Sequence, residues 1–352
     1  MGFPDLPAGC TIYMEKIAEE HILNNIRQYF RTSKEILKRI ASFEADTGKK
    51  LSLSAFVHYY NLDLRKIYLS KCWSRLCADA GVIPQFQDSF EEQFTKSMYD
   101  FIRIDSSDWI QFLKRILPFL STTNYAGMNE EEQLMLRMFY ITMFDHPMTS
   151  MEDPEVRQNL STFDHSPILK QELMEVLNLR LHDLKTVGVK PDLPYATPLR
   201  INCSYTKEQV FTAFGVNGNQ HSVSGVRWFP EKKTDALFVT LHKDSKEFSP
   251  TTMYDDYSMS SDHFHWQSQA DTSEDQTTGQ RYIHHEERGS YVLLFVRDYK
   301  HDSYKQNKAD IYTFLGPCRY ESHTGSRPMT IIWKLDHPIL ARFLPKTSKV
   351  LS

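Results

Sequence analysis

The sequence predicts an α+β protein of two domains, an all-α helical domain over residues 1–190 followed by a mainly β, barrel-like domain over 191–352. Three observations carry that prediction. Apolar residues recur at helical spacing through the first half. Short β-type runs separated by polar turns fill most of the second. Between them GVKPDLPYATP, Gly188 to Pro198, holds Pro191, Pro194 and Pro198, a composition that stops helices and marks the boundary.

In order along the chain, Met14 to Phe43 reads as a long amphipathic helix, with Ile17, Ile22, Ile26, Ile36, Ile40 and Phe43 at helical spacing among charged residues. Leu53 to Tyr60 follows, with Ser54 as its N-cap, then Leu62 to Ala80, closed by Gly81 ahead of Pro84. Helical stripes recur in Phe90 to Ile102, Trp109 to Leu120, Glu130 to Phe144 and Ile168 to Leu184. Beyond the prolines the spacing predicts strands at Val226 to Phe229, Ala236 to His242, Phe264 to Gln269, Gln280 to His285, Tyr291 to Tyr299, Tyr312 to Tyr320 and Met329 to Leu335. Only Thr206 to Phe214 reads as helix there. So many short strands suggest one compact barrel or a strongly curved sheet.

Composition narrows the function. With 352 residues, 41% hydrophobic and 13% aromatic, the chain can bury one or two cores, which excludes wholesale disorder. Basic and acidic residues nearly balance, 41 against 45, so any nucleic-acid site must be a local patch. The five cysteines form no CxxC pair and point to reduced thiols rather than a disulfide framework or zinc site. No apolar run reaches the length of a membrane span, and the start MGFPDLPAG lacks the features of a signal peptide. A cytoplasmic protein without a membrane partner is expected.

The familiar hydrolytic motifs are missing. Gly48-Lys49 is not part of a phosphate-binding GxxxxGK[ST] loop, and there is no GxSxG elbow, HExxH helix or HxK pair. The chain is therefore not expected to be an enzyme itself. Nine of the fourteen histidines follow the proline segment, which raises a metal-dependent nuclease as one alternative. No cysteine or carboxylate stands beside them at zinc-ligand spacing, so no metal or cofactor is expected and hydrogen-bonded histidines are the plainer reading.

The densest stretch is Phe248 to Gln269. It sets Tyr254, Tyr257, Phe264 and Trp266 among Asp255, Asp256, Gln267 and Ser268. A base swung out of a duplex needs ring faces to stack on and a carboxylate or amide for its Watson–Crick edge. The plainer alternative is that Phe264 and Trp266 fill a barrel. Basic residues at the ends of β elements, Arg227, Lys243, Arg281, Arg297 and Arg327 among them, would hold the DNA backbone if they converge on one face.

Several segments resemble a known family. FVTLHKDSKEFSPTTMYDDYSMSSDHFHWQSQ, GQRYIHH, VLLFVRD, YTFLG and GSRPMTIIWKL are similar to the C-terminal region of ATP-dependent, modification-directed (type IV) restriction endonucleases of the SauUSI kind. LPAGCTIYMEKIAEEHILNNIR resembles the exit from their helicase core, and LSLSAFVHYYNLDLRKIY with WSRLCADAG their helical connector. The resemblance implies a helical coupler and an SRA-like (SET and RING associated), PUA-like reader of double-stranded DNA carrying 5-methylcytosine or 5-hydroxymethylcytosine. It also implies partner helicase and phospholipase-D-like nuclease domains outside this sequence. Such readers use a Tyr-Asp-Gly loop; the nearest match here is Tyr254, Asp255 and Tyr257, with Asp256 where the glycine would stand. The rival expectation is a protein-interaction module that holds a helicase and makes no base contact.

Overall fold

A computed structural model describes residues 33–185, 187–216, 225–242 and 256–344. Helices precede the proline segment, and every described strand follows it. By compactness the chain forms two units, one of the described residues up to Tyr99 together with Ser166–Val176, the other of Asp100–His165 and the described residues from Leu177 on.

The first unit contains α1 (Ser33–Thr47), α2 (Leu53–Tyr60), α3 (Leu64–Ile67) and α4 (Trp73–Asp79). Ser52 caps α2, rather than Ser54: its backbone is extended and its hydroxyl accepts the Ala55 N–H at 3.0 Å. The single helix expected over Leu62 to Ala80 is two, and a buried carboxylate explains the break. Cys72 precedes α4 without a side-chain cap. Glu172 takes that role, accepting the Trp73 and Ser74 N–H groups at 2.7 and 2.8 Å, the Ser74 hydroxyl at 2.6 Å and the Tyr68 hydroxyl at 2.9 Å. A helix start whose own residues offer no acceptor is thus satisfied from elsewhere in the chain.

Helices α5 (Glu91–Phe101) and α9 (Pro167–His182) contribute residues to both units. The second unit holds α6 (Ser107–Ile116), α7 (Glu130–Phe144) and α8 (Pro154–Asp164). Helix α8 is not among the helices expected from apolar spacing, although Asp153 at the N-cap and Pro154 behind it are a start signal. Helix α7 begins with a reciprocal capping box between Asn129 and Glu132.

The strands are β1 (Ser204–Tyr205), β2 (Val226–Phe229), β3 (Thr234–Thr240), β4 (Tyr257–Ser258), β5 (His263–Gln267), β6 (Tyr291–Arg297), β7 (Tyr312–Thr324) and β8 (Thr330–Leu335), with α10 (Lys207–Ala213) after β1 and α11 (Thr277–Ile283) after β5. They form one mixed sheet in the order β2-β3-β6-β7-β8-β5-β4, with β1 beside β7. The β3–β6 pair is parallel and the others antiparallel. Among the described residues the sheet is open, ending at β2 and at the two-residue β4, so the closed barrel is not seen.

Gln280 to His285, expected as a strand, lies in α11 and the turn after it. Its alternation was too short to separate the two periods. A Cβ at Gly279 would stand 2.0 Å from the Ser273 carbonyl oxygen, so only glycine lets the first turn of α11 press onto that backbone.

Near its middle the sheet is buried on both faces. One face sends Leu237, Val239, Leu294, Val296, Phe264, Trp266 and Trp333 into a hydrophobic core that Tyr282 of α11 completes. The other carries the ring ladder Phe238, Phe295 and Phe314, with centroids 5.2 and 4.7 Å apart and planes within 20°. Phe211 of α10 meets Phe238 edge-on, and α10 packs on α7, where Gln209 Nε2 donates to Thr142 Oγ1 at 3.0 Å. Double burial is why all seven residues of β3 are buried and why it reads as a run rather than an alternation.

Candidate functional site

Strand β5 sorts the aromatic cluster by its period of two. Phe264 and Trp266 point into the core, Trp266 only 3% exposed and meeting Tyr282 edge-on at 5.5 Å. Neither ring offers a face to a ligand, so both leave the set of stacking candidates. His263, His265 and Gln267 occupy the opposite, half-exposed face. Tyr257 pairs with His265 in register, and their rings stack with centroids 4.5 Å apart and planes 15° apart. Tyr257 is 45% exposed, so it presents a ring face held in place from behind.

The other polar candidates divide in the same way. Asp256 stands at the start of β4 and accepts the Gln267 backbone N–H at 2.9 Å, placing a carboxylate beside the stacked pair. Ser268 is fully buried; its hydroxyl accepts the Met329 N–H at 2.9 Å and donates to the Gln269 carbonyl, so its role is to join β5 to β8. Tyr254, Asp255 and Lys243 lie outside the described residues.

Across the same outer face, His265 is in register with Ile332, and His263 with Lys334, which in turn pairs with Arg319. Directly paired residues share a face. The stacked pair is therefore followed by a cationic row on β8 and β7, with Lys334 exposed and Arg319 bonded to Asp336 at 2.9 Å. His263 Nδ1 and Nε2 meet Asp262 at 2.8 Å and Glu321 at 3.0 Å. His265 was missed as a stacking partner, although its alternation with Phe264 and Trp266 was the available signal.

The predicted backbone contacts do not gather on one face. Arg227 lies on β2, at the opposite edge from β4, and its buried Nε has no hydrogen-bond partner among the described residues. Arg281 makes a two-pronged bond to the buried Asp235, 2.6 and 2.9 Å, and packs 4.4 Å from the Trp228 ring centroid. Burial pushes the Asp235 carboxyl up and the Arg281 guanidinium opposes that shift, so this arginine serves the fold first. Arg327 is exposed in the β7–β8 turn, its N–H donating to Thr272 O. Arg297 lies over Tyr312 at the end of β6 and lines a cavity.

Among the histidines, His285 is buried at the start of the turn between α11 and β6. Its Nε2 accepts the Tyr320 N–H at 3.1 Å, so Nδ1 carries the proton and donates to Ser290 O, also at 3.1 Å. Burial lowers its pKa below the usual imidazole value.

Residues 199–344 match a family described as a domain of unknown function, DUF3427. That family is found in helicase-associated proteins. No curated protein matches the chain. No described helix is long and apolar enough to cross a membrane.

Proposed function

We propose that the chain is the DNA-recognition part of a modification-dependent (type IV) restriction system, and that the outer face of β4 and β5 receives a modified cytosine rotated out of its duplex. The observation that carries this reading is the Tyr257–His265 stack. Stacking on a flipped base requires an exposed ring that does not have to be ordered when the base arrives, and Tyr257 is both exposed and backed. Asp256 and Gln267 stand beside it with a carboxylate, which suits the exocyclic amine of cytosine, and an amide. Lys334 and Arg319 extend the face toward backbone phosphates.

The SRA-like character of the sheet belongs to this proposal, as do the coupling to a helicase and to a nuclease carried on other segments. The match to a helicase-associated family and the resemblance to SauUSI-type enzymes support it. The test is a gel-shift comparison of duplexes with cytosine, 5-methylcytosine and 5-hydroxymethylcytosine, at several salt concentrations. Tighter binding of a modified duplex, persisting as salt weakens all binding, is expected. Equal affinity for the three duplexes overturns base readout. Binding to none of them favours the protein-interaction module instead.

A further inference from the structure

Strand β7 carries a bulge that changes which of its side chains can meet. Its pairing with β8 slips between Tyr320 and Ser322, leaving Glu321 as an extra residue. In an unbroken strand, residues three apart point to opposite faces. Here the extra residue corrects the parity: Tyr320 stands opposite Trp333 and His323 opposite Ile331, and both of these partners belong to the hydrophobic core. Tyr320 and His323 therefore share the core-side face, at a rim where both are partly exposed. The Tyr320 hydroxyl lies 2.6 Å from His323 Nδ1, and His323 Nε2 lies 2.9 Å from Glu274 Oε2, in the segment between β5 and α11. We propose that Glu274, His323 and Tyr320 form a nucleophilic triad for phosphoryl transfer, with Tyr320 as the nucleophile and a phosphate ester as the substrate. The triad lies on the opposite face of the sheet from the Tyr257–His265 stack and rests on no part of the reading above.

The proton positions follow from the partners. The Glu274 carboxylate only accepts, so Nε2 carries the imidazole proton and Nδ1 accepts the phenol O–H. A nucleophile bonded to a base that a third group orients is the arrangement that general-base activation requires. Tyr320 is also held from behind: its ring meets Trp333 edge-on with centroids 6.4 Å apart, and its backbone N–H donates to the buried His285 Nε2 at 3.1 Å. Burial, and next the Glu274 charge, hold the Tyr320 phenol above its ordinary pKa. The proton therefore stays on the oxygen at rest and leaves only as His323 takes it during attack. Bulges recur beside active sites because they re-aim a side chain in this way.

Arg327 is the reason for a phosphoryl centre. It stands in the turn of the β7–β8 hairpin, and its backbone N–H donates at 3.0 Å to Thr272 O, two residues before Glu274. Its guanidinium is exposed and makes no hydrogen bond or ion pair among the described residues. A planar guanidinium suits the paired oxygens of a phosphate. In the step itself, Tyr320 Oη forms a bond to phosphorus while its proton moves to His323 Nδ1. The bond from phosphorus to the leaving alkoxide breaks, and that oxygen takes the proton from Nδ1. The products are an alcohol and a phosphotyrosyl ester, with total charge unchanged and no co-reactant consumed.

The experiment treats the full chain with an alkyl fluorophosphonate, which phosphonylates an activated oxygen and releases fluoride, and maps the adduct by mass spectrometry. Tyr320 should be the labelled residue among 18 tyrosines. Tyr320→Phe should abolish that adduct, and His323→Gln should slow its formation by about 10²–10⁴-fold, with thermal melting showing that both are folded. Glu274→Gln should also slow labelling, and Glu274→Asp should restore part of the rate, as expected of a residue that positions the base. A second arm offers duplex DNA and looks for a covalent complex that survives detergent. Its appearance would assign the substrate to a nucleic-acid phosphodiester, and its absence alongside labelling of Tyr320 to a small phosphate ester; either supports the triad. Absence of labelling, labelling spread over the tyrosines without preference for Tyr320, or an unchanged rate in folded His323→Gln overturns the proposal.

Discussion

Replacing Trp266 and Tyr257 by alanine, one at a time, separates the two faces of the β4–β5 edge. Trp266 is 3% exposed and wedged between Tyr282 at 5.5 Å and Trp333 at 6.2 Å. Cutting such a side chain to alanine costs about 3–5 kcal/mol, through lost burial and the cavity left behind. Tyr257 is 45% exposed, and its described ring contact is His265. Its loss should cost the fold less than about 1 kcal/mol. In a flipped-base complex the same change should remove about 1–3 kcal/mol, or roughly 5- to 150-fold in affinity for a modified duplex. The assay is urea unfolding followed by circular dichroism, run beside gel shifts with modified and plain duplexes. Trp266→Ala should lower the unfolding midpoint and reduce binding of both duplexes together. Tyr257→Ala should keep the midpoint and lose the preference. A Trp266→Ala protein with an unaltered midpoint and a selective loss of modified-DNA binding would refute the assignment of the two faces.

Glu172→Gln replaces an acceptor of four hydrogen bonds with a group that brings its own N–H donors, and should destabilise the first unit by about 2–4 kcal/mol, seen as a lower urea midpoint. Asp235→Asn should cost about 3–5 kcal/mol, because it leaves the Arg281 guanidinium half-buried without its partner charge, and double-mutant analysis with Arg281→Met should recover part of that loss. His285 gives a pH dependence whose sign follows from its lowered pKa: its stabilising effect is complete above about 6.5 and is lost as pH falls from there through the depressed folded value. Unfolding midpoints at pH 7.5 and 5.5 should therefore differ less in His285→Gln than in the unaltered chain; an unchanged difference would show that the imidazole does not titrate in this way.

Much of the secondary structure was legible because its signals are local. Val226–Phe229 and the strands beginning at Tyr291 and Tyr312 are apolar runs bounded by polar turns, and α10 announces itself through the Thr206 and Gln209 capping box. The alternation around Phe264 and Trp266 already contained their burial, but period two alone does not say which face is the core. The cluster therefore read equally well as a pocket or as a barrel filling. The helix α11 and the break between α3 and α4 were not legible, because Gly279 against Ser273 O and Glu172 at the start of α4 are contacts between distant segments.

The sequence by itself determined the change from helices to strands at the proline segment, the position of most elements, and the absence of the familiar hydrolytic motifs, since propensity, periodicity and motif spacing act within a few residues. Only the tertiary structure decided the parallel β3–β6 pairing, the ending of the sheet at β4 among the described residues, and the stacking of Tyr257 on His265. The reason is that register and the packing of one layer on another are set by the summed burial of many remote side chains, which no short window of sequence contains.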